Sequence, residues 1–169
     1  SRRLQDASSL ADVYRTLRRY DSLGAFLAFQ YAIDLNYSPL IDFSEMSFVV
    51  AGPGALDGIA KSFANAQAAS PEEIIRLVAE GQEDQFAARG IEFRSLGGRP
   101  LQLVDCQNLF CEIAKYARVT HPQFRGLHGR SRIKQTFRPR PEPVELWFPP
   151  KWNVNHRFRP LPAQGSQIA

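Results

Sequence analysis

The chain has 169 residues, about the length of one domain, and 44% of them are hydrophobic. Its 12 Phe, 5 Tyr and 2 Trp exclude a disordered or collagen-like chain. No apolar run is long enough to predict a transmembrane helix. The two cysteines, Cys106 and Cys111, form no CxxC pair, which argues against a disulfide framework or a zinc cage and favours an intracellular compartment, cytoplasm or nucleus.

Charge is distributed unevenly along the chain. Residues 1–114 contain 10 Lys/Arg and 15 Asp/Glu, a balance of −5, whereas residues 115–169 contain 11 Lys/Arg and 2 Asp/Glu, a balance of +9. A basic block beside an acidic one predicts a polyanionic partner such as nucleic acid. The alternative is a solvated basic tail.

The first part of the chain predicts two helices. Residues 8–19 form an amphipathic pattern with Ser9 as N-cap and Asp12 three residues later. Residues 25–35 are apolar nearly all round, which predicts a central helix that ends at residues 36–39, before a proline.

The middle of the chain predicts further helices. Residues 40–50 fit either a short strand or an extended loop, and residues 51–55, with two glycines and a proline, predict a break. Helices are then expected from about residue 56 to 63, from Ser70 to about residue 88, and over residues 100–118.

From residue 119 onward the helical pattern ends and prolines dominate. The aromatic residues of this region could dock it on the domain: Trp147, Phe148, Trp152 and Phe158. The sequence therefore predicts an all-α domain over residues 1–138 and an irregular, proline-rich basic C-terminal arm over residues 139–169.

Common cofactor and catalytic motifs are absent from the sequence. There is no GxxxxGK[ST], no GxGxxG after a strand, no HExxH and no GxSxG, so neither a bound nucleoside triphosphate nor a metal or other cofactor is predicted. The three histidines lack ligand-like spacing, and His121 and His128 are either phosphate contacts or exposed loop residues.

Residues 20–28 join two predicted helices through Gly24. This connection resembles the helix-hairpin-helix of DNA base-excision enzymes, although only one of the two usual glycines is kept. Backbone N–H groups at such a hairpin bind a DNA phosphate, so Gly24 is a candidate phosphate-binding residue.

Two carboxylates follow that hairpin: Asp42 lies 18 residues and Glu45 lies 21 residues after Gly24. In the base-excision enzymes a catalytic Asp follows at a comparable distance. A carboxylate at a pocket edge acts as a general base or stabilises a developing cation. The alternative is that Asp42 caps a helix and Glu45 is a solvated neighbour.

Four ordered blocks carry a wider resemblance: residues 23–38, 48–59, 101–118, and 132–137 followed by 148–152. Together they resemble the helical domain attached to 5-hydroxymethyluracil DNA kinases and shared with α-glutamyl/putrescinyl thymine pyrophosphorylases, which are thymine hypermodification proteins. The resemblance implies a helical, helix-hairpin-helix glycosylase-like fold that acts on a modified thymine in DNA.

In that system a kinase converts 5-hydroxymethyluracil in DNA to its diphosphate ester, and the helical pyrophosphorylase replaces diphosphate with an amine such as putrescine or glutamate. The implied partners are therefore DNA with a modified thymine, an amine co-substrate and, because this chain has no P-loop, a separate P-loop kinase.

The resemblance suggests roles for three groups of residues. The amine's proton would go to Asp42, Glu45 or Asp105, while Gln107 and Asn108 would read the base edge and Gly52 and Gly54 would allow close approach to it. The cations that would bind phosphate are Lys115, Arg118, Arg130, Arg132 and Lys134. Alternatively, residues 105–108 satisfy buried backbone, the glycines form a sharp turn, and the arginines contact the DNA backbone only.

The chain departs from the family's pattern in two ways. Ala114 stands where the pattern has Asp, and the family's domain has more helical sequence upstream, which implies a fragment or a shortened chain. The first function that follows is a DNA base transferase, favoured by the retained acids. The alternatives are a non-catalytic module that presents a base to a kinase, favoured by Ala114, and a glycosylase, which the absence of a Lys from the hairpin disfavours except for a monofunctional mechanism through Asp42.

Overall fold

The protein is described from a computed structural model, which covers residues 4, 6–127, 132–133, 138–139 and 145–158. Within these residues it is all-helical, as predicted, with no β-strand. The α-helices are α1 (Leu10–Leu17), α2 (Ala25–Tyr37), α3 (Pro53–Ser62), α4 (Pro71–Glu80), α5 (Gln82–Ala88) and α6 (Leu103–Thr120). Two short 3-10 turns, Pro150–Trp152 and Asn155–Arg157, lie near the C-terminus.

The predicted helix caps are confirmed. Ser9 caps α1, where its hydroxyl accepts a hydrogen bond from the Asp12 backbone N–H. Ser70 and Glu73 form a reciprocal capping box at the start of α4, with proline in the first turn. Both caps satisfy backbone N–H groups that have no partner inside the helix.

Two predicted boundaries are wrong. Residues 51–55 are not a break, because α3 begins at Pro53 after an extended Gly52; proline at a first helical position loses no hydrogen bond there. The helix predicted from Ser70 to residue 88 is two helices, α4 and α5, because the backbone at Gly81 departs from helical geometry (φ −88°, ψ 2°). Residues 40–50 form the extended loop, not the strand, of the two alternatives.

The prediction that α2 is a central helix holds for one face only. One face buries Phe29 and Ile33 in the core, but Leu27 and Tyr31 on the other face are 42% and 45% exposed. The apolar surface on that side of α2 has no covering element among the described residues.

The core forms where α3 crosses α6, with α4 packed on α6 and α1 packed on α2. Gly58 makes the crossing possible, since a Cβ atom there would lie 2.0 Å from the Phe110 carbonyl oxygen. The two backbones therefore touch directly. The largest fully buried apolar side chains around this crossing are Phe29, Leu10, Ile75, Leu103 and Val13.

Two buried amide side chains hold loops in place through hydrogen bonds to the loop backbone. Asn36, on α2, accepts from the Phe43 N–H and donates to the Phe43 carbonyl, both at 2.9 Å. Gln82 makes the same pair of bonds to Leu101, at 2.7 and 2.9 Å. Each amide thus satisfies both backbone groups of one loop residue, as a neighbouring β-strand would, and holds the loop in position.

Within the described residues, no helix has both the length and the apolar character needed to cross a membrane. Cys106 and Cys111 are free thiols on α6. Burial, together with the nearby Asp105 carboxylate, raises the pKa of Cys106 to about 11, so this thiol stays protonated at neutral pH.

Candidate functional site

Two of the three predicted catalytic carboxylates meet at one arginine. One terminal nitrogen of the Arg99 guanidinium donates to Glu45 Oε2 at 2.6 Å, and the other terminal nitrogen donates to Asp105 Oδ2 at 2.9 Å. The side chains of Arg99, Glu45 and Asp105 are 14%, 10% and 27% exposed. One cation thus pairs with two largely buried acids, so the three groups together carry a formal net negative charge.

Trp152 covers this arrangement. The indole N–H donates to Glu45 Oε1 at 2.8 Å, and the Arg99 guanidinium lies 4.0 Å from the indole centroid in a cation–π contact. The Tyr37 ring meets the same indole edge-on, with centroids 5.2 Å apart. We call Tyr37, Glu45, Arg99, Asp105 and Trp152 the Arg99 cluster.

The cluster keeps Tyr37 neutral. Burial is the main cause that raises the pKa of the Tyr37 phenol, and the negative charges of Glu45 and Asp105 raise it further. Tyr37 is therefore a phenol, not a phenolate, at any physiological pH.

Local structure holds each acid in place. Glu45 lies in the loop between Phe43, bonded to Asn36, and Met46, whose carbonyl accepts from Arg76 at 2.8 Å. Asp105 is in the first turn of α6, where Oδ2 also accepts from the Gln102 backbone N–H at 2.8 Å, forming a capping box.

Arg99 lies at the end of a glycine turn. Gly97 and Gly98 have φ of +61° and +86°, values that strain any residue with a side chain. A Cβ on Gly97 would also lie 3.0 Å from Val154. This turn brings Arg99 under the segment that contains Trp152.

The segment 148–158 is held in shape by contacts between its own residues. Asn155 binds both backbone groups of Phe148 at 2.8 Å, and the rings of Phe148 and Phe158 lie 5.0 Å apart. Of the four aromatic residues predicted to dock this region, Trp147 does not, being 74% exposed.

Asp42, the third predicted catalytic residue, lies outside the Arg99 cluster. Its side chain is 83% exposed and binds Lys151 at 3.0 Å. Lys151 also donates to the Ile41 carbonyl at 3.2 Å. Asp42 therefore joins the C-terminal segment to the 40–50 loop at the surface.

The residues predicted to read a base are scattered. Gln107 is fully buried and donates to Cys111 Sγ at 3.0 Å, with no partner for its Oε1 among the described residues. Asn108 is exposed on the same helix. A Cβ on Gly52 would lie 2.4 Å from the Phe26 ring, and one on Gly54 would lie 2.9 Å from Cys111 Sγ. Both glycines are thus needed for contacts inside the chain.

The predicted phosphate contacts do not form one group. Gly24 is exposed at the start of α2 with φ −64°, and the connection turns instead at Ser22, where φ is +73°. Lys115 is exposed and paired with Glu112, and Arg132 is exposed. Arg130, Lys134 and His128 lie outside the described residues.

Arg118 is held in a buried cluster that sequence reasoning missed. Asp57, on α3, binds Lys61 at 3.1 Å and Arg118 at 3.2 Å, and all three side chains are no more than 11% exposed. Burial opposes ionisation of Asp57, but the two cations outweigh it and hold the pKa of this carboxyl below its usual value of 3.8. Gly126 closes over the cluster, since a Cβ there would lie 1.5 Å from Asp57 Oδ1.

The sequence carries a recognisable pattern for some of the site residues that were not predicted, and none for others. The spacing of Asp57 and Lys61, four apart on a helix, is a typical ion-pair spacing. Nothing local marks Arg99 as the partner of Glu45, which is 54 residues away. Trp152 was among the aromatic residues predicted to dock, but nothing local predicts that its partner is Glu45, 107 residues away.

These observations describe an all-helical domain with a closed, largely buried acid–arginine–indole cluster. The protein-family model for the helical domain of 5-hmdU DNA kinase matches residues 1–126. The chain belongs to this family, and its membership is consistent with a role in thymine hypermodification. Neither the curated proteins nor the solved structures compared with it include a match.

Proposed function

We propose that this chain binds DNA that contains a 5-substituted uracil and presents that base to a separate enzyme, without itself forming or breaking a bond. Family membership supports the modified base as the target. The observation that carries the non-catalytic assignment is that three of the four carboxylate oxygens of Glu45 and Asp105 are already bonded to groups of this chain.

A general base needs a lone pair within reach of the proton that it removes. Glu45 Oε1 accepts from Trp152 and Oε2 accepts from Arg99, while Asp105 Oδ2 accepts from both Arg99 and the Gln102 backbone. While Trp152 is in place, this arrangement disfavours proton transfer to Glu45.

Release of a diphosphate would need cations that are not already neutralised. Arg99 is held by two acids and Arg118 by Asp57. Ala114, the position at which the family's pattern has Asp, is fully buried on α6. These features further favour a base-presenting module, and the partner we propose is a P-loop 5-hydroxymethyluracil DNA kinase.

The basic last third of the chain supports DNA as the ligand, with 11 Lys/Arg against 2 Asp/Glu after residue 114. Each lysine or arginine that contacts a DNA phosphate adds about one unit to the slope of log affinity against log salt. Binding through this region should therefore weaken steeply as salt is raised.

A base transferase is the second candidate, because Glu45 and Asp105 converge beside neutral Tyr37. In that reaction the amine nitrogen attacks the C5 methylene carbon, the bond from this carbon to the diphosphate oxygen breaks, and diphosphate leaves with the electron pair. The amine proton passes to Glu45 once its indole partner has left.

One experiment separates the candidates. The full chain is incubated with a duplex that carries a single 5-hydroxymethyluracil diphosphate and with putrescine or glutamate, and the base is examined by mass spectrometry. Binding that exceeds binding to a thymine duplex, with no change in mass, supports the proposal. An amine adduct with released diphosphate supports the transferase, an abasic site supports a glycosylase, and binding to neither duplex contradicts all three.

If an adduct forms, Asp42 and Glu45 are tested in turn. Unchanged turnover by Asp42→Asn removes Asp42 from the mechanism, as its exposed position leads us to expect. Loss of turnover in Glu45→Gln, with DNA binding retained, would identify Glu45 as the proton acceptor.

A further inference from the structure

We infer that the space filled by the Trp152 indole is a nucleobase site, and that Trp152 is a displaceable occupant supplied by the chain itself. The inference rests on the proposed function for the kind of base, a uracil, but its geometry stands on the Arg99 cluster alone. An indole is a flat aromatic heterocycle with one ring N–H, and a uracil base is a smaller flat heterocycle with one ring N–H at N3.

Each wall of the space matches such a base. The Arg99 guanidinium lies 4.0 Å from the indole centroid, and arginine stacks on nucleobases in the same way. The Glu45 carboxylate accepts the indole N–H at 2.8 Å and would accept a uracil N3–H instead. The Tyr37 ring closes one edge.

The carboxylate also selects among bases. Cytosine and adenine present an unprotonated ring nitrogen, an acceptor, where uracil presents N3–H, so either would place a lone pair against Glu45. A site that leaves a buried polar group unpaired rejects such a ligand strongly. The C5 substituent lies on the opposite side of the ring from the N3–C2 edge and takes no part in this hydrogen bond.

The occupant and the walls come from different parts of the chain. Tyr37, Glu45 and Arg99 lie within residues 1–126, which match the family's model, whereas Trp152 lies beyond them. The segment 148–158 is bonded to itself through Asn155, to the 40–50 loop through Lys151 and to the Gly97 carbonyl through Arg157, and it buries Val154. No helix of the domain has to unfold for the indole to leave.

A competing occupant reduces the apparent affinity for a ligand by the fraction of molecules whose site is open. Trp152→Ala removes the competitor, so it should bind thymidine about 10- to 100-fold more tightly than the unmodified protein. The matched control is Trp147→Ala, since Trp147 is 74% exposed and five residues away, and its affinity should not change.

The test titrates the unmodified protein, Trp152→Ala and Trp147→Ala with thymidine, N3-methylthymidine, cytidine and guanosine, and measures binding by calorimetry or NMR. The expected gain for Trp152→Ala is largest for thymidine and absent for N3-methylthymidine and cytidine, which lack the N–H. Guanosine, which has a ring N–H but is larger, tests whether the site takes a uracil or a purine. No gain in a Trp152→Ala protein that melts cooperatively overturns the inference, as does equal gain for N3-methylthymidine or tighter binding of guanosine.

If Trp152→Ala does not fold, the Trp147→Phe protein keeps the inference testable, since Trp152 is then its only tryptophan. Thymidine should shift the fluorescence of this protein to the red as the indole moves into water, and an unchanged spectrum at saturating thymidine overturns the inference. These readouts contain no DNA, so failure of duplex binding refutes the proposed function without touching the nucleobase site.

Discussion

Replacing Arg99 by Met tests whether one guanidinium holds two acids together. Removal of one partner of a fully buried ion pair costs about 3–5 kcal/mol. Here the Asp105 side chain is 27% exposed and Glu45 retains its Trp152 bond, so we expect the smaller loss of about 2–3 kcal/mol in the free energy of unfolding at pH 7. Methionine preserves most of the apolar contact with the indole.

The pH dependence of this loss identifies its cause. Without the cation, two carboxylates repel each other in a desolvated site, and protonation of either relieves the repulsion. The folded variant therefore takes up a proton more readily than its unfolded form, and its deficit should shrink by at least about 1 kcal/mol between pH 7 and pH 4.5.

The assay is urea unfolding of the unmodified protein, Arg99→Met and the control Arg94→Met at both pH values. Arg94 is an exposed arginine five residues earlier, so its replacement should change the free energy by less than about 0.5 kcal/mol. A deficit of Arg99→Met that is the same at both pH values would mean that lost packing, not uncompensated charge, destabilises the variant, and the reasoning would be refuted.

Three further substitutions follow from the structure. Gly58→Ala should destabilise the fold by about 3 kcal/mol or more in thermal melts, because its Cβ would meet the Phe110 carbonyl at 2.0 Å; a change below about 1 kcal/mol contradicts the close crossing. Asp57→Asn should cost about 2–4 kcal/mol at pH 7, and since the folded-state pKa of Asp57 lies below 3.8, this difference should vanish only as pH falls through that lower pKa, a trend read from urea unfolding against pH. Asp42→Asn should change the free energy of unfolding by less than about 0.5 kcal/mol, because its ion pair is exposed, and a larger loss would show a buried role.

Local signals in the sequence predicted most of the helices. Ser9 and Ser70 cap their helices as expected because capping depends on residues only three positions apart. Pro53 misled the prediction, since the same residue that breaks a helix interior is favoured in a first turn, and only the preceding extended Gly52 distinguishes the two cases.

The candidate site was predictable only in part. Glu45 was selected by its distance from a hairpin and Asp105 by a family block, and neither argument implied that they share a cation. That link depends on Arg99 and Trp152, whose contacts with Glu45 cross 54 and 107 residues of sequence. Such contacts follow from how helices pack, which local patterns do not encode.

The paired hydrogen bonds of Asn36 make a helix residue responsible for where a remote acid lies. The Asn36 side chain hydrogen-bonds to the main chain of Phe43, and Glu45 is two residues further on. Alanine at this position would leave the Phe43 backbone N–H and carbonyl without their hydrogen-bond partner, and the loop would shift. A mutational survey of function should therefore rank Asn36 beside Glu45, although no ligand needs to come near it.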